Sequence, residues 1–428
     1  MRRFLIFIAL LEVSMPALAG SLDARINDAA KRLEPSVIAC RRDLHEHPEL
    51  GNRETRTAKI VADKLKSLGI DVKTGVAHTG VIGLLKGGKP GKVVALRADM
   101  DALPVTEQVD VPFASKVKTT YNGQDVGVMH ACGHDAHVAI LLGVAEVLAG
   151  MRDEIPGTVK FIFQPAEEGA PQGEEGGAEL MVKEGALANP KVDAIFGLHV
   201  TSRFAVGEIA YKPEGMMAAV DSFKITVTGK QTHGAYPWLG IDPIVVASQI
   251  VLGLQTIPSR QLDSSLAPSI VTVGAIHGGV RTNIIPDQVE MIGTIRSLDA
   301  KMRDEIHTRI RRTVENIAAS AGAKADVTIT TGYPITYNDP ALTDAILPSL
   351  RRVPGAKVRL VNAVLGAEDF AFFQKSVPGV FYWIGTRPAN QTPEEAPSNH
   401  SPLFYVDESG LLTGVQSLAT VAIDYLNR

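Results

Sequence analysis

Acidic and imidazole side chains follow three short apolar segments, each of which has the length of a buried strand. Asp101 comes soon after the first segment, Glu167 and Glu168 follow the second, and His199 directly follows the third. Because ligands of parallel α/β sheets bind at the carboxyl ends of the strands, we expect these side chains to meet at one edge of a sheet. Adjacent carboxylates also allow a division of labour, in which one binds a cation and the other accepts a proton from water.

A thiol and an imidazole, Cys132 and His134, lie just before an apolar segment that predicts a helix over residues 137–149. Because a helix N-terminus stabilises negative charge, we expect a lowered pKa and an accessible thiolate at Cys132. Sulfur, imidazole and carboxylate ligands together suit Zn²⁺, Mn²⁺, Co²⁺ or Ni²⁺. Each residue alone also fits an ordinary role, such as a hydrogen-bonded core histidine or a solvated loop carboxylate. Their convergence on one cleft is what favours a metal centre.

The elements that must position these residues alternate along the chain as in an α/β protein. Uninterrupted apolar strands between helices indicate a mostly parallel sheet with helices on both faces. In the first half, the pattern predicts helices over residues 23–47, 55–68 and 137–149, and strands over residues 93–97, 159–163 and 194–198. It resumes near the C-terminus with a helix over 342–352, a strand over 379–384 and a helix over 409–426.

A segment of different character interrupts this alternation. Its sequence pattern predicts four strands, over residues 222–228, 270–276, 288–296 and 325–330. One helix, over residues 243–254, follows the first strand, and a second helix, over residues 301–320, precedes the last. This β-α-β-β-α-β order is that of a ferredoxin-like α+β unit. We therefore divide the chain into residues 20–215 and 333–428, which form one α/β domain, and an inserted domain of residues 216–332.

Bulk composition excludes some functional classes. The 428 residues are enough for two domains, and 45% hydrophobic with 21% charged residues is ordinary for a globular protein. The net charge of -4 supplies no basic field for nucleic acid, so we expect no nucleic-acid partner.

The N-terminus predicts a signal peptide over residues 1–19. Two arginines precede an apolar run over residues 4–11, and Ala17-Leu18-Ala19 has the form of a cleavage site. The run is too short to span a bilayer, so we expect an exported, periplasmic or secreted protein with no membrane anchor after cleavage. Two cysteines, Cys40 and Cys132, do not make a disulfide scaffold in a chain of this size, and we expect both to remain free thiols.

Several long motifs resemble the M20 metallopeptidase family, specifically its amidohydrolase branch, which includes hippurate hydrolases and indole-acetyl-amino-acid hydrolases. They cover residues 41–51, 97–104, 129–137, 164–169, 197–199, 229–243, 283–287, 366–372 and 399–400. The resemblance spans most of the chain. It implies a di-metal exopeptidase-like α/β domain, with the inserted ferredoxin-like unit acting as a lid and dimerisation domain.

The resemblance also implies roles for particular residues. Two divalent ions, Mn²⁺ or Zn²⁺ with Co²⁺ or Ni²⁺ as alternatives, would be held by Cys132, His134, Glu168, His199 and His400. Cys132 would bridge the two ions. Glu167 would act as general base and then as the acid that protonates the leaving amine, and Asp101 would orient the site. His400 is found through the resemblance alone, because its spacing gives no signal.

Three residues of the inserted unit complete the implied site. His233 would stabilise the oxyanion, and Asn283 and Arg296 would hold the substrate carboxylate, which suits the fork of a guanidinium. The implied partners are a small N-acyl amino acid or dipeptide and a second copy of the chain, which would form a homodimer through the inserted unit. Trp238 stands where the family often has histidine, which leaves the local substrate preference open.

Other interpretations are weighed beside the amidohydrolase. A dipeptidase or carboxypeptidase of the same fold cannot be separated by sequence, and a non-catalytic binding protein would not need Glu167 beside a full ligand set. The glycines of residues 80–83 and 87–88 do not have dinucleotide-binding spacing. We expect a structural role for His45 and His47, while Asp99 and Asp135 could support metal ligands or cap helices.

Overall fold

A computed structural model describes the backbone of residues 17–428 and the side chains of residues 22–428. The expected signal peptide therefore lies outside the residues that are described in full. Up to the inserted segment, the elements are α1 (Ala17–Glu46), α2 (Thr55–Ser67), β1 (Asp71–Val76), β2 (Gly80–Lys86), β3 (Lys89–Asp99), β4 (Lys118–Tyr121), β5 (Gln124–Gly127), α3 (His134–Ala149), β6 (Pro156–Gln164), α4 (Gly177–Lys183), β7 (Ala194–Ala205), β8 (Glu208–Tyr211) and β9 (Glu214–Met217).

The remaining elements form the inserted segment and the return to the first domain. The inserted segment contains β10 (Ala219–Thr228), β11 (Thr232–His233), α5 (Pro243–Thr256), β12 (Ser269–Gly278), β13 (Ile284–Ile285), β14 (Gln288–Ser297), α6 (Ala300–Ser320) and β15 (Lys324–Thr331). The return contains β16 (Thr336–Asn338), α7 (Pro340–Arg351), β17 (Lys357–Leu360), α8 (Ala371–Gln374), β18 (Gly379–Arg387) and α9 (Ser409–Leu426).

The central sheet has eight strands in the order β1-β2-β6-β3-β7-β18-β8-β17. Its four middle strands, β6, β3, β7 and β18, are mutually parallel, while β1, β2 and β8 add antiparallel pairs towards the edges. The expected α/β fold with a mostly parallel central sheet is therefore confirmed. The parallel strands β3 and β6 end at the same edge, where Asp101, Glu167 and Glu168 follow them, whereas His199 lies within β7, which continues beyond residue 198 to Ala205.

Both faces of this sheet are buried, which explains the unbroken apolar sequence of its strands. Leu96 of β3 belongs to a core that it shares with α1, α3 and α9, whereas the neighbouring Ala95 belongs to a second core with α4 and α8. Successive side chains of a strand point to opposite faces, so each face needs apolar residues of its own. No helix of the described chain is both long and apolar enough to cross a membrane.

The inserted segment folds as the ferredoxin-like unit that the pattern predicts. Its four-stranded antiparallel sheet has the order β12-β14-β10-β15, and α5 and α6 pack on its buried face. Apolar residues of α6 recur every four positions, as expected for one buried helix face, at Met302, Ile306, Ile310, Val314 and Ala318.

Several boundaries differ from the sequence prediction. Helix α3 begins at His134 rather than at residue 137, because Gly133 adopts φ 92° and directs the chain into the helix three residues earlier. Because His134 and Asp135 are polar, the apolar pattern of the sequence does not predict this first turn. The glycines of residues 80–83 lie on β2, which pairs antiparallel with β1 and β6, so they do not form a strand-to-helix nucleotide loop.

A buried carboxylate joins the elements of the inserted unit. Asp221 on β10 accepts hydrogen bonds from Arg303 and His307 of α6, and from the backbone N–H of Gly332 at 3.0 Å. Burial opposes ionisation of Asp221, but the hydrogen bonds from Arg303 and His307 outweigh it and lower its pKa. The Asp221 carboxylate therefore stabilises the docking of α6 on the sheet.

We predict that Asp221→Asn lowers the free energy of unfolding at pH 7 by about 2 kcal/mol, below the range for fully buried pairs because Arg303 and His307 are partly exposed. Because the pKa of Asp221 is lower in the folded state than in the unfolded state, its ionised carboxylate stabilises the protein at pH values above the unfolded-state pKa. This contribution is lost as the pH falls towards the folded-state pKa. The difference from wild type in urea denaturation should therefore shrink below about pH 4. Asp304→Asn, at an exposed site on α6, is the control, and a pH-independent difference for Asp221→Asn would contradict the assignment.

Candidate metal centre

Four side chains from distant parts of the chain meet around the sulfur of Cys132. The ligand atoms of Cys132, His134 and His199 lie within 4.8 Å of one another, and those of Cys132, Glu168 and His400 form a second such group. The Cys132 Sγ lies 3.4 Å from His199 Nε2 and 3.3 Å from His400 Nε2. His400 Nε2 also lies 3.0 Å from Glu168 Oε1. Cys132 is the residue that the two groups share.

Hydrogen bonds orient two of the imidazoles towards this centre. His199 donates from Nδ1 to the backbone oxygen of Val200 at 2.7 Å, which leaves Nε2 facing Cys132. His134 Nδ1 lies 3.2 Å from Asp101 Oδ1, and Asp101 Oδ2 accepts a hydrogen bond from the backbone N–H of Glu168 at 2.9 Å. Asp101 therefore positions one imidazole and one carboxylate together, as expected for a residue that supports metal ligands.

The turn that carries Glu167 and Glu168 is held by a residue that sequence reasoning missed. Ala166 adopts φ 51°, an unfavourable conformation for alanine, immediately before Glu167. The buried carboxylate of Glu54 accepts hydrogen bonds from the N–H of Ala166 at 2.9 Å and from the hydroxyl of Thr79 at 2.5 Å. Glu54 lies more than one hundred positions earlier in the chain, and no spacing connects it with the site.

The donor set fits two divalent cations. His134 Nε2 is buried without a hydrogen-bond partner, although such atoms normally have one. Burial opposes the charged form of His134, but Asp99 and Asp101 outweigh it and raise its pKa, because negative charge dominates this region. One sulfur shared between two groups of nitrogen and oxygen donors matches the preferences of borderline metals.

The sequence expectation of a lowered thiol pKa is wrong for the protein without its cations. Burial raises the pKa of Cys132, and the charge of Glu168 adds to this effect. The thiol is 7% exposed, so desolvation outweighs the N-terminus of α3. A divalent cation would stabilise the thiolate, so the helix alone does not provide it.

Glu167 is placed for proton transfer. Burial raises its pKa well above the ordinary glutamate value, and the nearby charges of Glu368 and Glu168 raise it further. Its backbone oxygen accepts a hydrogen bond from the hydroxyl of Tyr333 at 2.7 Å, and its Oε1 lies 3.4 Å from the backbone nitrogen of Asp369. A carboxylate with a raised pKa can both accept a proton and hold it for a later transfer.

A buried ion network behind Glu167 was also missed. The Arg97 guanidinium lies 2.6 Å from Asp99, 2.9 Å from Glu368 and 3.0 Å from Asp369. Asp99 also lies 2.5 Å from His137 Nδ1, so it belongs to this network and does not cap a helix. Residues 97–104 and 366–372 were recognised as motifs, but the sequence gives no indication that they meet.

One cavity of about 650 Å³ is lined by Glu167 and by four of the five metal-ligand candidates. Its wall includes Cys132, Glu167, Glu168, His199, His400 and, from the inserted unit, Arg296. Arg296 makes no ion pair with any residue that the structure describes, although β14 lies inside its sheet and not at the edge. A partly buried guanidinium without a carboxylate partner is suited to an anionic ligand.

Two predicted substrate-binding residues lie elsewhere. His233 and Asn283 are exposed and do not line this cavity. The pairing of β11 with β13 brings them together, and the Gly234 N–H donates to the Asn283 oxygen at 2.9 Å. Within one chain, therefore, the structure brings Arg296 to the metal centre but leaves His233 and Asn283 outside it.

The remaining polar candidates have structural partners. His45 lies between Asp135, at 2.8 Å, and Glu107, at 3.0 Å, and Arg41 also contacts Asp135. Asp135 thus joins α1 to the first turn of α3. His47 is exposed and lies against the backbone of α1. Cys40 and Cys132 are both free thiols, as expected.

Comparisons with known proteins agree with this geometry. Residues 95–424 match peptidase family M20/M25/M40. The chain is 43% identical to thermostable carboxypeptidase 2 of Saccharolobus solfataricus, over 94% of this chain and 99% of that protein. It is 40% identical to the N-acetylcysteine deacetylase of Bacillus subtilis, over 92% and 98% of the two chains.

A solved structure extends the comparison to the metal site. The Bacillus subtilis YXEP protein, a dinuclear metal-binding peptidase from the M20 family, superposes with a TM-score of 0.79 at 38% identity, covering 93% of this chain and 99% of that one. Together with the paired donor groups around Cys132, this similarity supports a centre for two divalent metals. The chain belongs to peptidase family M20/M25/M40 and is a metal-dependent hydrolase of amide bonds.

Proposed function

We propose that this enzyme hydrolyses N-acyl amino acids, with hippurate-like or N-acetyl substrates, and releases a carboxylic acid and an amino acid. The observation that carries the proposal is the occurrence of Arg296 and the hydrolytic residues on the walls of one cavity. An N-acyl amino acid has a free α-carboxylate close to its amide bond. The unpaired guanidinium suits that carboxylate, while the amide lies towards Glu167 and the donor groups.

Cys132, His134, Glu168, His199 and His400 would hold two ions, which we propose to be Mn²⁺ or Zn²⁺, with Co²⁺ or Ni²⁺ as alternatives. Sulfur and imidazole donors support this choice over Mg²⁺ or Ca²⁺, which prefer oxygen. When bound, such ions polarise the amide carbonyl and make water a stronger nucleophile. Asp101 keeps His134 and Glu168 in place for them.

Glu167 would move the proton in both halves of the reaction. Its carboxylate takes a proton from the attacking water as the carbon–oxygen bond forms. The same proton then passes to the amide nitrogen, so that the carbon–nitrogen bond breaks and a neutral amine leaves. Burial and the neighbouring Glu368 raise the pKa of Glu167, which favours keeping the proton between these steps.

A carboxypeptidase or dipeptidase activity is the second candidate. A C-terminal residue presents the same carboxylate and amide as an N-acyl amino acid, so Arg296 would serve both substrates. The similarity to thermostable carboxypeptidase 2 favours this activity. A non-catalytic binding protein is disfavoured, because the chain retains Glu167 beside the complete donor set.

We further propose a homodimer formed through the inserted unit. Large apolar side chains are exposed on this unit, including Trp238 at 74%, Leu252 at 71% and Val280 at 98% exposure. Exposed apolar surface of this extent is typical of protein contacts. A second copy would also explain why His233 and Asn283 lie outside the cavity of their own chain, if they complete the partner's site.

We also propose export, which rests on the predicted signal peptide.

The substrate proposal is tested with matched compounds. N-acetyl-L-phenylalanine should be hydrolysed faster than its carboxamide, and Arg296→Met should lower kcat/KM for the acid by at least about tenfold, because a charge-assisted interaction is lost. The same substitution should lower kcat/KM for the carboxamide much less. Arg309→Met on α6 is the control. Equal losses for acid and carboxamide would contradict the role of Arg296, and faster cleavage of L-alanyl-L-phenylalanine than of the N-acetyl compound would favour the dipeptidase.

The general-base assignment is tested with Glu167→Gln. This variant should retain its fold by circular dichroism and its metal content by mass spectrometry, but lose about a thousandfold in kcat because glutamine cannot accept the proton. Glu179→Gln, at an exposed position, should behave as wild type. Near-normal turnover by metal-loaded Glu167→Gln would exclude Glu167 as the proton carrier.

The shared role of Cys132 predicts a change in metal stoichiometry. Wild-type protein dialysed against Mn²⁺ or Zn²⁺ should retain two ions per chain, while Cys132→Ala should retain fewer, because both donor groups lose a ligand. Cys40→Ala is the matched control, since Cys40 lies on α1 away from the donors, and it should retain both ions. Two tightly bound ions in Cys132→Ala would show that the sulfur is not shared.

A further inference from the structure

A second cavity adjoins the metal cavity. It has a volume of about 640 Å³ and lies beside the ends of β7, β8 and β17. The two cavities share three wall residues, Arg203, Val364 and Trp383. The ring centroids of Trp383 and His199 are 5.1 Å apart, so the wall that the two cavities share lies beside a metal-ligand candidate. A substrate bound at the metal centre could therefore extend past Trp383.

Positive charge dominates the walls of the second cavity. Arg203, Lys212 and Arg359 line it, and Glu214 is the one carboxylate among its lining residues. Arg359 is paired with Glu208 at 2.8 Å, whereas neither Arg203 nor Lys212 forms an ion pair with any residue that the structure describes. The cavity thus offers two cationic groups that lack a carboxylate partner.

The metal cavity has both acidic and basic groups in its wall. Glu167, Glu168 and Glu368 line it, and Arg296 is assigned to the α-carboxylate by the proposed function. A second anionic group on the substrate would be attracted by Lys212, which lines the second cavity and not the metal cavity, and by Arg203, which lines both. Apolar contacts with Leu360 and Trp383 would accommodate the methylene chain that leads to it.

We propose that the second cavity is a subsite for a distal carboxylate of the substrate, so that the enzyme prefers N-acyl amino acids that carry two carboxylates. This inference rests on the proposed function. The second carboxylate could stand on the acyl group or on the amino-acid side chain. Both sources have the same chemistry, and the experiment separates them.

The test uses two isosteric pairs and the metal-loaded enzyme. N-succinyl-L-alanine is compared with N-succinamoyl-L-alanine, and N-acetyl-L-glutamate with N-acetyl-L-glutamine. The ratio of kcat/KM for carboxylate over carboxamide should be at least about tenfold in one pair, as expected for a charge-assisted interaction. The pair that shows the preference identifies the source of the carboxylate.

Lys212→Met should move this ratio towards one, and Lys212→Glu should reverse the preference. Lys357→Met is the control, because it removes the same charge from an exposed position on β17 that does not line the cavity, and its ratio should equal that of wild type. A wild-type ratio near one in both pairs, or an unchanged ratio in both Lys212 variants, would overturn the subsite. Hydrolysis of the carboxamides without discrimination would leave the proposed function standing, whereas no hydrolysis of any of the four would contradict both.

Discussion

The structure depends on the burial of negative charge where parallel strands end. Asp99, Asp101, Glu167, Glu368 and Asp369 are all at least 94% buried, and Arg97 is the guanidinium that lies among them. Burial of like charges is costly unless cations or protons compensate it. The raised pKa values of Glu167 and His134 both follow from this excess. Two divalent cations would balance this excess of negative charge. The same carboxylates would then serve catalysis.

The fold concentrates this negative charge by bringing segments that are distant in sequence to one edge of the sheet. Strands β3, β6 and β7 deliver Asp101, Glu167 and His199, and the first turn of α3 delivers His134 beside Cys132. Groups outside the donor set hold several of these residues in place, such as Asp101 beside His134 and Glu54 beneath the turn at Ala166. The inserted unit adds Arg296, so binding of substrate is expected to depend on both domains.

The sequence predicted those elements and residues that follow a regular local pattern. The apolar strands, the order of the inserted unit, the candidate residues after β3 and β6 and the candidate residue on β7 follow from periodicity and from the geometry of parallel sheets. His400 lies in the connection between β18 and α9, where no periodicity operates, and only the family resemblance indicated it. The partners of Arg97 and the role of Glu54 depend on contacts between motifs far apart in sequence. The direction of the Cys132 pKa was wrong because burial, which sequence does not give, outweighs the helix terminus.

The central claim is that one sulfur is shared by two cations whose other ligands are His134, His199, Glu168 and His400. Anomalous diffraction from crystals of the protein loaded with Mn²⁺ or Zn²⁺ tests it most directly. We expect two peaks, both within bonding distance of the Cys132 sulfur and each bonded to members of this set. A single peak, or two peaks of which one lies away from the sulfur, would contradict it.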